Sequence, residues 1–230
     1  MATFTGTAGN DVLPPVGGNN SGADTMEGLR GNDTLRGGTG SDTLEGEAGD
    51  DLLDGGSGAD TFRGGAGTDL VSYYGGAVAV QVNLTNNVNH GGDAEGDNFQ
   101  DAIEIVHGSL FADTLLGLAS AQTLRGLAGN DVLRGQAGDD GLEGGDGDDQ
   151  LDGGDGADTL AGGAGADRLF GGAGTDTVSY ADSGGGVSLN LATNVNRYGT
   201  AEGDRFLDHI ALAISVAAVV APIGVGDRRG

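Results

Sequence analysis

From Gly28 to Ser72 the chain reads GLRGNDTLR, GGTGSDTLE, GEAGDDLLD, GGSGADTFR, GGAGTDLVS, five nonapeptides in unbroken phase. The sixth residue of every unit is Asp and the eighth is apolar. With one incomplete unit ahead, Asp24, Asp33, Asp42, Asp51, Asp60 and Asp69 form one ladder, and Met26, Leu35, Leu44, Leu53, Phe62 and Val71 a second. A short fixed period is the mark of a repeat architecture. The half unit Gly-Gly-x-Gly-x-Asp is turn material, because Gly takes positive φ and close backbone approach without steric cost. The other half, such as Thr61-Phe62-Arg63, reads as a strand of about three residues with one side chain inward. Two units then close one turn of a flattened helix, and adjacent turns pair as parallel strands about 4.8 Å apart. An isolated forerunner, Gly6 to Leu13 with Asp11, sits out of phase.

A second array begins near Gly108. It keeps the phase through Asp113, Asp131, Asp140, Asp149, Asp158, Asp167 and Asp176, with Gln122 at the one remaining place. Its apolar ladder runs Leu115, Leu124, Leu133, Leu142, Leu151, Leu160, Leu169 and Val178. The opening units are weaker, since Phe111 and Ser120 stand where the others carry Gly. A longer period of 107 residues superposes Asp69 on Asp176, Tyr73 on Tyr180, and Ala94-Glu95-Gly96-Asp97 on Ala201-Glu202-Gly203-Asp204. A whole module has been duplicated, including a segment alternating as Val78-Ala79-Val80-Gln81-Val82-Asn83-Leu84 and again as Val187-Ser188-Leu189-Asn190-Leu191. Period two predicts a strand with one buried face. The expected divisions are a first array with its irregular N-terminal repeat (residues 1–72), a spacer (73–107), a second array (108–179), a second spacer (180–210) and an apolar tail (211–230).

Composition limits the function. The 230 residues include 50 Gly, 35 Asp plus Glu, 10 basic residues, all of them Arg, and no Cys. A net charge of -25 leaves no basic patch for nucleic acid or an anionic membrane. Such an acidic excess either expands the chain or is neutralised by bound cations. Only 4% of residues are aromatic and no disulfide can form, so the core is thin and metal ions remain as the staple. The opening Met1-Ala2-Thr3-Phe4-Thr5 has neither a positive region nor an apolar run, so export is expected by a route that needs no cleavable leader.

Stacking brings Asp42 beside Asp60 and Asp140 beside Asp158, where two carboxylates repel by roughly 3 kcal/mol at an effective dielectric near 20. Burial of one Leu per half turn, roughly 2 kcal/mol before entropy, does not offset a row of such pairs. The cation-free chain is therefore expected to be largely disordered. A divalent cation between stacked loops reverses the repulsion. Ca²⁺ suits it, wanting six to eight hard oxygens in flexible geometry, while Zn²⁺ lacks Cys and Mg²⁺ dehydrates reluctantly. The expected ligands are the sixth-position Asp residues of both arrays, with about four ions in the first and about five in the second on the eighteen-residue turn. Binding and folding become one event.

At GGSGADTFR, GGDGADTLA and GGAGADRLF the chain resembles the nonapeptides of the repeat-in-toxin (RTX) family, also called haemolysin-type calcium-binding repeats. The resemblance covers over half the chain. It implies an all-β fold, a right-handed parallel β-roll or β-helix solenoid, with Ca²⁺ held by the sixth-position Asp and loop carbonyls. It also implies type I secretion and folding triggered by extracellular calcium. The segments from Tyr73 and Tyr180 look like spacer modules of this family. The tail after Ile210 departs from the first copy, and reads as a capping element or a divergent secretion signal.

A disordered glycine-rich linker has no reason to keep Asp at every ninth place and Leu two residues later. Turn formation by Asx hydrogen bonds would admit frequent Asn or Ser at the sixth place. Asp50, Asp139, Asp148 and Asp155 read as solvated charge, and His90, His107 and His209 show no metal-ligand spacing. Asp97 and Asp204, with Glu95 and Glu202, read as loop turns around Gly96 and Gly203, with a further cation site as the alternative. No H-E-x-x-H, G-x-S-x-G or Cys nucleophile is present, so the chain is expected not to be an enzyme. The expected role is a secreted structural or binding module, its partner an extracellular polysaccharide or a surface or matrix component. The alternative, from the resemblance, is an accessory module of an extracellular protease, lipase or alginate epimerase. No apolar segment is long enough for a comfortable membrane span, which places a pore-forming fragment last. Oligomeric state, and whether the arrays stack into one rod, are not written in the pattern.

Overall fold

The computed structural model describes residues 2–14, 21–181 and 204–206. These form a parallel β-roll of three sheets. One five-stranded sheet contains Thr3–Thr5, Thr25–Arg30, Thr43–Ala48, Thr61–Ala66 and Asn98–Phe99. A six-stranded sheet on the same side contains Gln81–Asn83, Thr114–Leu116, Val132–Ala137, Gln150–Gly156, Arg168–Gly174 and Arg205–Phe206. The opposite face is one nine-stranded sheet running without a break from Val12–Leu13 to Thr177–Val178. Both arrays therefore share a sheet. Its crossing point is Ile105–His107, which pairs with Leu70–Ser72 on one side and Thr123–Arg125 on the other. Among the described residues no helix is long and apolar enough to cross a membrane.

Within the regular nonapeptides, from Thr25 on in the first array, the register is 18 residues, as in Leu44 opposite Phe62 and Leu142 opposite Leu160. The eighth-position side chains stack down the centre, and all of them, from Met26 to Val178, are buried. Val82, Phe99 and Val106 of the spacer continue the same columns, and Phe99 stacks on Phe62 with ring centroids 5.3 Å apart. One apolar residue per half turn thus makes a core a single side chain wide.

Several sequence expectations are corrected. Many strands are six or seven residues long, not three: Thr43–Ala48 continues through the first three positions of the next unit. The backbone stays paired there because the second position is left-handed on both strands, Glu47 at φ 71° opposite Gly65 at φ 103°, so the two kink together and the register is kept. The forerunner is not isolated, since Thr3–Thr5 pairs with Thr25–Glu27 and Val12 with Thr34, offset by 22 residues instead of 18. The alternating segment is a strand only at Gln81–Asn83; Val80, Val82 and Leu84 are buried, but Val78 is exposed where the chain turns after Tyr73. The second alternating segment, most of the second spacer and the tail lie outside the described residues.

Glycine at the fourth position is explained by stacking. A Cβ on Gly147 would overlap the carbonyl of Gly129 one turn earlier, and one on Gly58 would overlap that of Gly40. Phe111 and Ser120 are tolerated because the turns before them belong to the spacer, and neither is left-handed.

Candidate metal centre

Each sixth-position Asp ends a loop immediately before a strand, which turns its carboxylate into the narrow edge of the roll. One oxygen is used by the backbone. Asp24 N–H donates to Asp42 Oδ1 (2.7 Å), Asp42 N–H to Asp60 Oδ1 (2.7 Å), Asp131 N–H to Asp149 Oδ1 (2.8 Å) and Asp149 N–H to Asp167 Oδ1 (2.9 Å). The same bond joins Asp33 to Asp51, Asp51 to Asp69, Asp140 to Asp158 and Asp158 to Asp176. Each turn therefore clamps the one before it.

The other oxygen has no such use. Oδ2 of Asp33, Asp42, Asp51, Asp60, Asp69, Asp131, Asp140, Asp149, Asp158, Asp167 and Asp176 is buried without a hydrogen-bond partner. A buried carboxylate oxygen left unpaired costs more than a lost hydrogen bond, so a row of them demands a compensating positive group. The first-position glycine of each unit borders that oxygen. A Cβ on Gly126 would overlap Asp131 Oδ2 and lie 2.7 Å from the carbonyl oxygen of Gly144 on the next turn. The space is thus bounded by a carboxylate and a loop carbonyl. Among the described residues no three His, Asp or Glu side chains gather into a cluster. Hard oxygens from carboxylate and backbone are the donor set that calcium accepts, and unlike zinc it needs no nitrogen or sulfur ligand.

Burial governs the charge state. Desolvation lifts Asp60 and Asp131 from 3.8 to about 7, and Asp69, Asp140 and Asp149 to about 6, with the backbone N–H bond opposing in each case. Repulsion from neighbouring carboxylates adds to this but is the smaller cause. Burial thus outweighs the carboxylate repulsion expected from the stacking.

At several row ends a protein group takes over the second oxygen. Asp97 and Asp204, read from sequence as loop turns, occupy ladder places: Asp60 N–H donates to Asp97 Oδ1 (2.8 Å) and Asp167 N–H to Asp204 Oδ1 (3.0 Å). Their Oδ2 atoms accept the hydroxyls of Tyr73 (2.8 Å) and Tyr180 (2.7 Å). Asp113 accepts Val80 N–H on Oδ1 and Ser109 N–H on Oδ2, with the Ser109 hydroxyl against both. Gln122 donates Nε2–H to Ile103 O (2.7 Å) and accepts Leu118 N–H, so its amide fills what a carboxylate and cation would share. Thr7 likewise takes Asp11 Oδ2. Sequence reading missed the ladder role of Asp97, Asp204 and Glu104, although Asp97-Asn98-Phe99 and Asp204-Arg205-Phe206 repeat the spacing of Asp and apolar residue within a unit.

Asp50, Asp139 and Asp148 are exposed but not merely solvated. Each accepts an N–H from the next turn, at Thr68, Ala157 and Ala166 respectively, in an outer ladder at the loop tips. His90 pairs with exposed Glu95 and His107 lies beside Arg125, both away from the ladders; His209 lies outside the described residues.

A parallel roll with glycine-bordered carboxylate rows at its edges defines a repeat protein of the β-solenoid class. The chain matches the RTX calcium-binding nonapeptide repeat (4 copies) over residues 19–53, 36–71, 107–142, 116–151 and 143–178, more than half its length. It belongs to that family. No curated protein matches the chain.

Proposed function

We propose that the chain is a secreted, non-enzymatic module whose roll is ordered by calcium held along its edges. The supporting observation is the row of buried, unpaired Oδ2 atoms, since those carboxylates are stable only with a cation or a proton beside them. In this reading Asp33, Asp42, Asp51, Asp60, Asp69, Asp131, Asp140, Asp149, Asp158, Asp167 and Asp176 are ligands, together with loop carbonyls. Asp24 joins them by its register. Asp113 ends a row instead, because Ser109 satisfies it. Low calcium inside a cell would keep the chain open for export, and millimolar calcium outside would fold it. Type I secretion and an extracellular polysaccharide or matrix partner belong to this proposal. Far-UV circular dichroism in EGTA and then in millimolar CaCl₂ tests it. The expected result is a disordered spectrum becoming a sheet spectrum; an ordered sheet in EGTA at neutral pH overturns it.

A further inference from the structure

We propose that the first spacer completes a cation site of its own at Asp69, in which Asp101 and Glu104 supply carboxylates where a regular loop supplies glycine backbone. The inference rests on the calcium reading of the ladders. In a regular turn the first-position glycine faces its own Asp Oδ2 and the carbonyl of the next glycine, as Gly46 faces Asp51 and Gly64. Above the loop that ends at Asp69 the next turn is the short link Gln100 to Glu104, which contains no glycine. Gly64 N–H donates there to Asp101 Oδ1 (2.9 Å), and Asp69 N–H to Glu104 Oε2 (3.0 Å). Glu104 thus stands in the ladder as a longer homologue of Asp. Asp69 is fully buried, and its Oδ2 has no partner and faces Gly64.

Asp101 and Glu104 each spend one oxygen on these bonds, and they bracket the loop instead of gathering into a cluster. In the proposed site the two outer side chains turn so that their second oxygens share a cation with Asp69 Oδ2. A groove lined by Thr68, Glu104 and Gln122 opens beside them. The far side of the link is closed by the Gln122 amide on Ile103 O, so no second cation is needed there. With three carboxylates the site carries more ligand charge than any regular turn, and calcium affinity follows ligand charge. The duplication keeps Asp208 in place of Asp101 but puts Ala211 in place of Glu104, so the full set belongs to the first junction.

The variant D101N/E104Q retains both hydrogen-bond acceptors and removes only charge. Equilibrium dialysis of the full chain against radiolabelled calcium should show the variant without the tightest-held ion, while the exposed-loop control D148N keeps it. A variant curve superimposed on that of the unsubstituted chain, or an equal loss in D148N, overturns the proposal. Absence of any calcium binding by the unsubstituted chain overturns the ladder reading instead. Should D101N/E104Q not reach the calcium-loaded sheet spectrum, E104Q alone is dialysed, and unchanged binding there overturns the proposal.

Discussion

A ladder carboxylate divides its labour: Oδ1 clamps the preceding turn, and Oδ2 is buried with no hydrogen-bond partner, which is where the proposed cation binds. Asp149→Asn keeps the acceptor for Asp131 N–H but removes the charge, and should weaken calcium-induced folding by about 1–3 kcal/mol. Asp148→Asn, exposed in the outer ladder, should shift it by less than about 0.5 kcal/mol. Paired calcium titrations followed by circular dichroism check this, and equal shifts would refute the ligand assignment. The raised carboxylates also set a pH dependence. Asp60 and Asp131 stand at about 7 in the fold against an ordinary 3.8, so without calcium the folded form binds more protons than the unfolded one. That contribution to stability is present in acid and lost as pH rises through about 7. EGTA-treated chain should therefore hold more sheet at pH 5 than at pH 8. The calcium midpoint should move the opposite way, rising as pH falls and protons compete for the same oxygens. A midpoint independent of pH would contradict the account.

At the scale of the turn, stacking depends on glycine and on one apolar residue. Gly147→Ala puts a Cβ into the Gly129 carbonyl from a left-handed backbone at φ 144°, and should cost at least about 2 kcal/mol. Leu151→Ala should cost about 2–5 kcal/mol, because the core is one side chain wide and cannot close around the loss. Thermal melts in saturating calcium measure both. Much of this level was legible in the nonapeptides: parallel strands, the inward ladder and the sixth-position carboxylate all follow from a period of nine. Asp97 and Glu104 were not, because they enter the ladder 37 and 35 residues after Asp60 and Asp69, offsets that no multiple of nine reaches. Nor could the sequence tell Asp113 from its neighbours, since the distinction lies in Ser109 reaching both oxygens. Phe111 and Ser120 looked like decay of the repeat, yet mark turns that rest on the spacer.

At the scale of the molecule, the nine-stranded sheet joins what the sequence divides. One face is continuous from Val12 to Val178 while the other is split into five and six strands by the spacer. Asn87 closes part of that split, its side-chain amide donating to Phe99 O (2.8 Å) and accepting Phe99 N–H (2.9 Å) as a further strand would. A shared sheet couples the arrays, so the calcium-loaded chain should unfold in one calorimetric transition; two well-separated transitions would mean independent rolls. With a net charge of -25, the proposed reading makes that coupling depend on bound cations. The central claim is most directly tested by anomalous scattering from a crystal grown in calcium. The account predicts density about 2.3–2.6 Å from Oδ2 of Asp131, Asp149 and Asp167, and none at Asp97 Oδ2 beneath the Tyr73 hydroxyl. Density confined to the outer carboxylates Asp50, Asp139 and Asp148 would contradict it.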